Sequence, residues 1–235
     1  MTLKELYKTA DYKDSHGMLF HGDCLEIMKD IEDKTADFVL TDIPYAEVNR
    51  SSNGLRNLDK GNADVLTFNL YSFLEELYRI TSNSICVFCG REQFSTIYSF
   101  FANKKGTVRP IVWEKTNPSP MNGQHIYLSG VEFAVWFKKS GGGTFNAHCK
   151  NVVFRYPNGR SKLHPTEKNH DLLRDLILDN TNEYDVVFDP CCGSGSHCYV
   201  AKNLNRKFIG IELDENYFNI AKERMESLKT DKVIV

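Results

Sequence analysis

The sequence lacks any apolar run long enough to cross a membrane, and its opening stretch, MTLKELYKTADYKD, lacks the apolar segment of a signal peptide. Both absences argue against a membrane or secreted protein and predict a cytoplasmic location. The chain has 235 residues, of which 41% are hydrophobic. This length and composition predict one α/β core with a modest insertion.

The seven cysteines are odd in number and lack the spacing of a disulfide framework, which suits a reducing compartment. Cys86 and Cys89 form a CxxC, the spacing of half a zinc site. However, SICVFC reads as a buried strand, in which residues three positions apart point to opposite faces. Free cysteines are commonly small core residues, so we predict no bound metal.

Charge is distributed unevenly, although the net charge is only −2. Residues 104–174 contain twelve Lys and Arg against four Asp and Glu, a balance of +8, which leaves −10 for the rest of the chain. A basic third in an acidic protein predicts a surface that faces a polyanion such as DNA, and an ordinary solvated face is the alternative. The predicted DNA contacts are Lys138, Lys139, Arg155 and Lys162.

Short apolar runs alternate with helical patterns along most of the chain. Strands are predicted in MLFHGD, ADFVLTD, SICVFC, RPIVWEK, VEFAVWF, YDVVFD and RKFIGIEL. Helices are predicted in CLEIMKDI, FNLYSFLEELYRIT, REQFSTIYSFFAN, TEKNHDLLRDLILDN, the segment after the glycine turn, and DENYFNIAKERMESL. The pattern loosens over residues 117–160, which are rich in turn residues, glycine and basic side chains. We therefore predict an α/β fold with a mostly parallel sheet, helices on both faces and a small insertion.

The segment DPCCGSGS, which starts at Asp189, reads as the end of a strand that runs into a glycine turn. Gly193 and Gly195 allow the backbone to approach a ligand at a helix N-terminus. Glu212 lies nineteen residues after Gly193, at the end of the next predicted strand, where an acid can accept both hydroxyls of a ribose. These features predict a nucleotide-like cofactor, and by themselves they suit a dinucleotide oxidoreductase equally well.

The segment TDIPY follows another apolar run, so Asp42 is predicted at the carboxyl end of a strand, where α/β proteins bind ligands. Pro44 leaves its carbonyl free, and Tyr45 adds a flat ring. A carboxylate, a carbonyl and an aromatic ring together can hold a planar exocyclic amine. The alternative interpretation is a turn that Asp42 caps.

These motifs resemble those of the β-class DNA amino-methyltransferases, which transfer a methyl group from S-adenosylmethionine (SAM) to adenine N6 or cytosine N4. Their catalytic signature Asp/Ser-Pro-Pro-Tyr is similar to DIPY, and their cofactor loop is similar to DPCCGSGS. HPTEKN, HGDCLEIM and IVWEKTNPSP resemble three further family segments. The resemblance covers about residues 18–228 and keeps the family's motif order.

The resemblance implies a circularly permuted Rossmann-like methyltransferase fold, with the catalytic half first and the cofactor half last. Residues 1–116 would form the catalytic half, residues 117–160 the target-recognition insertion, and residues 161–235 the cofactor-binding half. Such a permutation is physically feasible because chain termini in compact domains are often close together.

The resemblance also implies SAM as the cofactor and assigns residues to it. Asp23, with its neighbour Cys24, would lie beside the cofactor's adenine, and Thr166 and Lys168 would contact its methionine end. The other implied cofactor-binding residues are Asp189, Gly193, Gly195 and Glu212.

Asp42, Pro44 and Tyr45 are the implied catalytic residues, acting by direct transfer to a base flipped out of the duplex. In the family, an acidic first residue usually accompanies adenine N6 and Ser accompanies cytosine N4, so Asp42 predicts adenine. Ile43 replaces the first proline of the catalytic signature, a position that supplies no acceptor for the target amine. Asn169 replaces the final proline of the other family element, which is expected to shift only the start of the following helix. Double-stranded DNA is the implied partner, and the small insertion suggests a homodimer; a cognate restriction endonuclease is a further predicted partner.

Three alternatives stand beside this prediction. The first is cytosine-N4 methylation, and the second is a catalytically silent DNA-binding homologue, which the exchange at Ile43 leaves open. The third is cytosine-C5 methylation, because Pro190-Cys191 matches the dipeptide that carries the nucleophile of that class. Cys191 lies inside the cofactor loop, where the sequence indicates no activating neighbour.

Overall fold

The computed structural model describes residues 1–45, 68–119, 123–158 and 167–228. Within these ranges the chain forms seven helices and nine strands. The helices are α1 (Leu3–Thr9), α2 (Cys24–Asp30), α3 (Leu70–Ile80), α4 (Arg91–Ala102), α5 (His170–Asn180), α6 (Ser196–Asn203) and α7 (Glu215–Ser227). The strands are β1 (Tyr12–Lys13), β2 (Gly17–His21), β3 (Ala36–Asp42), β4 (Thr81–Cys89), β5 (Gly106–Lys115), β6 (Val131–Lys139), β7 (Val153–Tyr156), β8 (Val186–Asp189) and β9 (Lys207–Glu212).

The nine described strands form one sheet in the order β1-β2-β9-β8-β3-β4-β6-β5-β7. The strands from β2 to β4 in this order all run parallel, whereas β6 is antiparallel to both of its neighbours. The last two of the described strands, β8 and β9, therefore lie between strands from the first half of the chain. This order confirms the predicted circularly permuted Rossmann-like fold with a mostly parallel sheet.

Four helices begin at an Asp or Asn side chain that accepts hydrogen bonds from backbone N–H groups of the first turn. These caps are Asp23 for α2, Asn69 for α3, Asn169 for α5 and Asp214 for α7. The Asn169 cap sets the start of α5 at His170, later than the TEKN segment in which the sequence pattern predicts it.

Two apolar clusters cover the two faces of the sheet, as predicted. Helices α1 to α4 pack on one face, for example through Phe73, and α5 to α7 pack on the other, for example through Leu176. Cys86 and Cys89 of β4 belong to different clusters, so they point to opposite faces and cannot share a metal ion. The alternation expected for a buried strand is thus confirmed.

Three short elements do not follow from the sequence pattern, namely α1, β1 and β7. The strand β7 has only four residues, too few for an alternating pattern, and it lies in the glycine-rich basic stretch. It pairs in parallel with β5 at the edge of the sheet, where the Trp113 indole N–H donates to the Tyr156 carbonyl at 3.0 Å. None of the helices within the described ranges is long and apolar enough to span a bilayer.

Candidate active site

Strands that run in the same direction bring their carboxyl ends to one edge of the sheet, where α/β proteins bind ligands. At this edge β3 ends at Asp42, β8 at Asp189 and β9 at Glu212. Because β3 and β8 are direct neighbours, the two predicted motifs meet here although they are far apart in the sequence. The fold thus assembles one site from the two ends of the chain.

The Asp42 carboxylate is held at one oxygen only. Lys168 Nζ donates to Asp42 Oδ2 at 2.5 Å and to the Tyr45 phenol oxygen at 3.2 Å. Asp42 Oδ1 is buried and has no hydrogen-bond partner among the residues that the structure describes. Buried acceptors in folded proteins are normally satisfied, so Oδ1 is a candidate acceptor for a ligand N–H group.

Lys168 supplies the positive charge next to this carboxylate, and its side chain is only 5% exposed. Burial opposes the charged ammonium, but the carboxylates of Asp42 and Glu132 outweigh it and hold the pKa of Lys168 well above its ordinary value. Nζ also lies 5.3 Å from the ring centroids of Tyr45 and Phe88. The resemblance predicts Lys168 at the methionine end of the cofactor, whereas the structure places its ammonium on Asp42.

Glu132, near the start of β6 and inside the predicted insertion of residues 117–160, extends this ion network. Its Oε2 lies 3.2 Å from Lys168 Nζ, and its Oε1 lies 2.5 Å from Lys115 Nζ at the end of β5. Burial raises the pKa of Glu132, but the two lysines outweigh burial and lower it below its ordinary value. Glu132 and Lys115 flank the segment between β5 and β6, so this network joins that segment to Asp42. No motif in the sequence singles out Glu132.

The loop after β3 presents the other two predicted catalytic groups. The Pro44 carbonyl accepts a hydrogen bond from Gln93 Nε2 at 2.9 Å. Tyr45 is partly buried next to Lys168, and burial together with the Asp42 charge raises the pKa of Tyr45 well above its ordinary value. Its phenol is therefore neutral at physiological pH. Sequence reasoning missed Gln93, whose one signal is its place in the first turn of the helix that follows β4.

Asp189, the last residue of β8, stabilises the glycine turn through both of its carboxylate oxygens. Its Oδ1 accepts a hydrogen bond from Cys191 N at 3.1 Å, and its Oδ2 lies 2.5 Å from Nδ1 of the buried His197. Both oxygens thus bind the turn and the start of α6, and the predicted contact of Asp189 with the cofactor stays a prediction. A hydrogen bond with the Cys24 side chain, and burial, raise the pKa of Cys191 well above its ordinary value. This protonated thiol does not fit the nucleophile of a cytosine-C5 methyltransferase.

Gly193 and Glu212 meet at the ends of β8 and β9. Gly193 N donates to Glu212 Oε2 at 2.7 Å, and Asp214 N donates to Oε1 at 2.8 Å. Gly193 has a φ of 52°, and a Cβ there would point into open space. Gly195 has a φ of 78°, and a Cβ there would lie only 2.9 Å from the Ala221 side chain. The open backbone and the fixed carboxylate form a cradle at the ends of β8 and β9, and its binding of a ribose stays a prediction.

Asp23 and Cys24 join the same edge through the preceding residue. Gly22 N donates to the carbonyl of Glu212 at 2.9 Å, which ties the end of β2 to the end of β9. Asp23 caps α2, and Cys24 is buried against Cys191. The structure therefore brings Asp23, Cys24 and Glu212 together, and their individual contacts with the cofactor stay predictions.

Two of the predicted DNA-binding lysines lie away from this site. Lys138 and Lys139 end β6 beside the start of β4, at the opposite edge of the sheet from Asp42. Lys138 Nζ donates to two glycine carbonyls, and Lys139 Nζ donates at 2.5 Å to the carbonyls of Tyr78 and Thr81. Burial lowers the pKa of both lysines. This placement indicates a structural role for both.

Arg155 lies on β7, whose carboxyl end is at the same edge as that of β5 and the parallel strands. Its side chain is 71% exposed, and its Nε lies 2.9 Å from Glu114 Oε2. Arg155 is therefore accessible to DNA near the catalytic edge. Lys162 and Thr166, the remaining predicted residues, lie outside the described residues.

A family profile for DNA methylases, of the N6 and N4 type, matches residues 36–223. The chain belongs to this family. The Type II methyltransferase M2.LlaDCHI of Lactococcus lactis subsp. cremoris is 26% identical over 248 residues, which cover 91% of this chain and 91% of that protein. The solved M1.HpyAVI–SAM complex is 30% identical, with a TM-score of 0.69 over 88% of this chain and 99% of that chain. The cytosine-N4-specific PvuII DNA methyltransferase shares the fold at 18% identity, with a TM-score of 0.73 over 95% of this chain and 90% of that chain.

As a member of this family of DNA methylases, the protein is a DNA amino-methyltransferase of the β class, and SAM is its cofactor. The contacts of Gly193 and Glu212 with this cofactor stay predictions. Across the described part of the chain, no group of three or more His, Cys, Asp or Glu side chains could hold a metal ion.

Proposed function

We propose that the protein transfers the methyl group of SAM to N6 of adenine in double-stranded DNA. The arrangement around Asp42 carries this proposal. An exocyclic amine has two N–H donors, and Asp42 Oδ1 together with the Pro44 carbonyl offers two acceptors on one loop. Tyr45 adds a ring on which a flipped base can stack, and base–aromatic stacking contributes about 1–3 kcal/mol.

The chain's own residues act mainly by positioning and electrostatics. Asp42 Oδ1 and the Pro44 carbonyl accept the two N–H bonds and draw the nitrogen lone pair out of its conjugation with the ring. Lys168 donates a hydrogen bond to Asp42 Oδ2 and offsets the negative charge of the carboxylate. After transfer the nitrogen carries one proton in excess, and Asp42 Oδ1 is the acceptor that passes this proton towards solvent.

SAM, when bound, supplies an electrophilic methyl group on its sulfonium. Glu212 would accept the ribose hydroxyls, while the open backbone at Gly193 leaves room for the cofactor to approach. Asp23 and Cys24 would border the adenine ring. These assignments agree with the sharing of one sheet edge by the two motifs.

The choice of adenine rather than cytosine as the target base rests on the family resemblance stated above. In that family, an acidic first residue of the catalytic signature usually accompanies adenine. Asp42 has this acidic form. The chemistry alone permits either base, because both present an amine that a carboxylate and a carbonyl can hold. The choice of base is therefore the part of the proposal that the experiment below decides.

We also propose that the segment over residues 117–160 recognises the DNA target, between a catalytic half at 1–116 and a cofactor half at 161–235. The ion pairs of Glu132 support a place for this segment near the target base, since Glu132 lies within it and is linked through Lys168 to Asp42. A segment of this length offers little surface to grip a duplex, so a homodimer on DNA is part of the proposal, and light scattering of the complex tests it. The predicted restriction endonuclease partner is tested by expressing the adjacent genes with the enzyme.

The experiment uses the protein, unmethylated duplex DNA and SAM with a labelled methyl group, followed by digestion and separation of the nucleosides. The proposal expects label in N6-methyl-2′-deoxyadenosine. Label in N4-methylcytosine would overturn the choice of base, and label in 5-methylcytosine would overturn the direct-transfer mechanism. Absence of label, with SAM binding intact, would indicate a silent homologue.

Asp42→Asn is the matched control, because it keeps the side-chain size and removes the anionic acceptor. Its SAM affinity should remain close to that of the wild type while labelling falls sharply. Full labelling by this variant would remove Asp42 from the mechanism.

A further inference from the structure

We propose that Gln93 is a positioning residue that aims the Pro44 carbonyl at the target amine. The inference rests on the proposed function, in which this carbonyl accepts one of the two N–H bonds. It adds a residue that no sequence motif assigns and that lies on a different strand–helix unit from the catalytic loop.

The Gln93 carboxamide is buried, with 5% of the residue exposed, and both of its ends are used. Nε2 donates to the Pro44 carbonyl at 2.9 Å, and Oε1 accepts from Gly90 N at 2.8 Å. The second hydrogen bond fixes the orientation of the amide, because the Gly90 N–H is a donor and can bind only the oxygen of the carboxamide. The donor end is therefore directed at Pro44.

The backbone around Gln93 leaves it little freedom. Gly90 is the N-cap of α4, and a Cβ at Gly90 would lie 3.1 Å from Gln93 Oε1. Asp42 pairs with Phe88 in the sheet, and Ile43 N donates to the Phe88 carbonyl at 3.2 Å, which holds the two loops side by side. Gln93 thus bridges the loop after β4 and the loop after β3.

The catalytic loop needs such a restraint for a reason specific to proline. The ring of Pro44 fixes its φ but leaves its ψ free, and ψ determines where the carbonyl points. The family signature has a second proline before it, where this chain has Ile43. A carbonyl oxygen has two lone pairs. Gln93 occupies one of them and fixes ψ, and the other is left for the target amine.

The test replaces the donor while keeping the acceptor. In Gln93→Glu one carboxylate oxygen can still accept from Gly90 N, but an ionised carboxylate cannot donate to the Pro44 carbonyl and repels it. We expect kcat to fall by about tenfold or more at mildly alkaline pH, since small misplacements of reacting groups are costly. KM for SAM should stay within about twofold, because the cofactor cradle is untouched.

The pH dependence separates positioning from general damage. The carboxyl group that Gln93→Glu introduces can donate to Pro44 when it is protonated, and burial raises the pKa of a carboxyl, so acidification restores the donor. The ratio of kcat in Gln93→Glu to kcat in the wild type should therefore rise as pH falls. In Gln93→Met, which has no polar atom to titrate, kcat should be as low and the ratio flat.

Asn103→Asp is the matched control on the same helix. Asn103 Nδ2 donates to the Ser99 carbonyl at 2.8 Å at the far end of α4, so this change also sets a carboxylate against a backbone carbonyl. Asn103→Asp should leave kcat unchanged at every pH. Thermal unfolding of each variant verifies the fold, and if Gln93→Glu does not fold, Gln93→Met alone decides through its kcat.

Wild-type kcat in Gln93→Met, or a flat ratio in a folded Gln93→Glu, would overturn the inference. Failure of the proposed function gives a different result, because the wild type itself would then place no label on adenine N6. An inactive Asp42→Asn beside fully active Gln93 variants would reject the role of Gln93 and keep that of Asp42.

Discussion

The Lys168 ammonium lies 2.5 Å from Oδ2 of Asp42, while Oδ1 of the same carboxylate has no hydrogen-bond partner in the part of the chain that the structure describes. The positive charge of Lys168 therefore offsets the negative charge at Oδ2, and Oδ1 is available to accept a hydrogen bond from a ligand. An acceptor of this kind attracts N–H groups but does not leave an isolated negative charge in a buried site. The following predictions test this arrangement and its surroundings.

Asp42→Ala should lower turnover by at least ~10²-fold, because it removes an interaction that strengthens as the amine attacks. SAM affinity should change little, since Glu212 and Gly193 are unaltered. Single-turnover methylation and calorimetric SAM titration give the two quantities. A parallel loss of SAM affinity and turnover would contradict a role for Asp42 confined to the chemical step.

Glu212→Ala should weaken SAM binding by roughly tenfold or more, as expected for the loss of charge-assisted hydrogen bonds. Burial raises the pKa of Glu212 above its ordinary value, so the carboxylate takes up a proton at a higher pH than an exposed glutamate does. Protonation removes acceptor capacity, and wild-type SAM affinity should therefore fall as pH is lowered through this raised pKa. The variant should lose this dependence.

Calorimetry at a series of pH values measures the effect, and DNA affinity without SAM serves as its control because it should barely change. Equal pH profiles for the wild type and Glu212→Ala would place the titrating group elsewhere.

Lys139→Met should destabilise the fold by about 1–3 kcal/mol, because it removes a partly buried donor from the carbonyls of Tyr78 and Thr81 at the end of α3. The slope of log DNA affinity against log salt should not change. Arg155→Gln should reduce that slope by about one unit, the effect of one lost phosphate contact. Anisotropy titrations at several salt concentrations compare the two. A reduced slope in a folded Lys139→Met would restore the DNA contact predicted for this lysine.

Glu132→Gln should lower the free energy of unfolding by about 2 kcal/mol at neutral pH. The lowered pKa of Glu132 keeps it ionised in the folded protein at pH values that protonate it in the unfolded chain. Glu132 therefore contributes stability above its ordinary pKa, and this contribution is lost as pH falls through the lowered value. Urea unfolding should show the difference between variant and wild type shrinking on acidification. A difference independent of pH would exclude the ion network as its source.

Much of the fold follows from periodicity, because buried parallel strands such as β3 and β8 are continuous apolar runs and the helices between them keep apolar stripes. The permuted strand order followed from motif order rather than from pattern. The short strand β7 was missed because four residues carry no readable period. The positions of Asp42 and Glu212 at the carboxyl ends of strands were also predictable, because each residue follows directly on a continuous apolar run.

Side-chain partners were harder to predict than positions. Lys168 is 126 residues from Asp42 in the sequence, and its long flexible side chain could reach several groups of the site. Gln93, in the first turn of α4, contacts Pro44 only because β3 and β4, the strands that precede these two residues, are neighbours in the sheet. Composition identified a basic region but could not show that the ammonium groups of Lys138 and Lys139 bind the protein's own carbonyls.

The interior strands β9 and β8 are the last of the described strands to be synthesised, since they comprise residues between 186 and 212. A nascent chain that stops earlier holds β2 and β3 with nothing between them, so both present open edges that can pair with other chains. Insertion of β8 and β9 then completes the sheet and, in the same folding step, brings Glu212 to the edge of the sheet that carries Asp42. A prematurely terminated product has no partial activity to offer, and its exposed edges mark it as a substrate for chaperones and proteases.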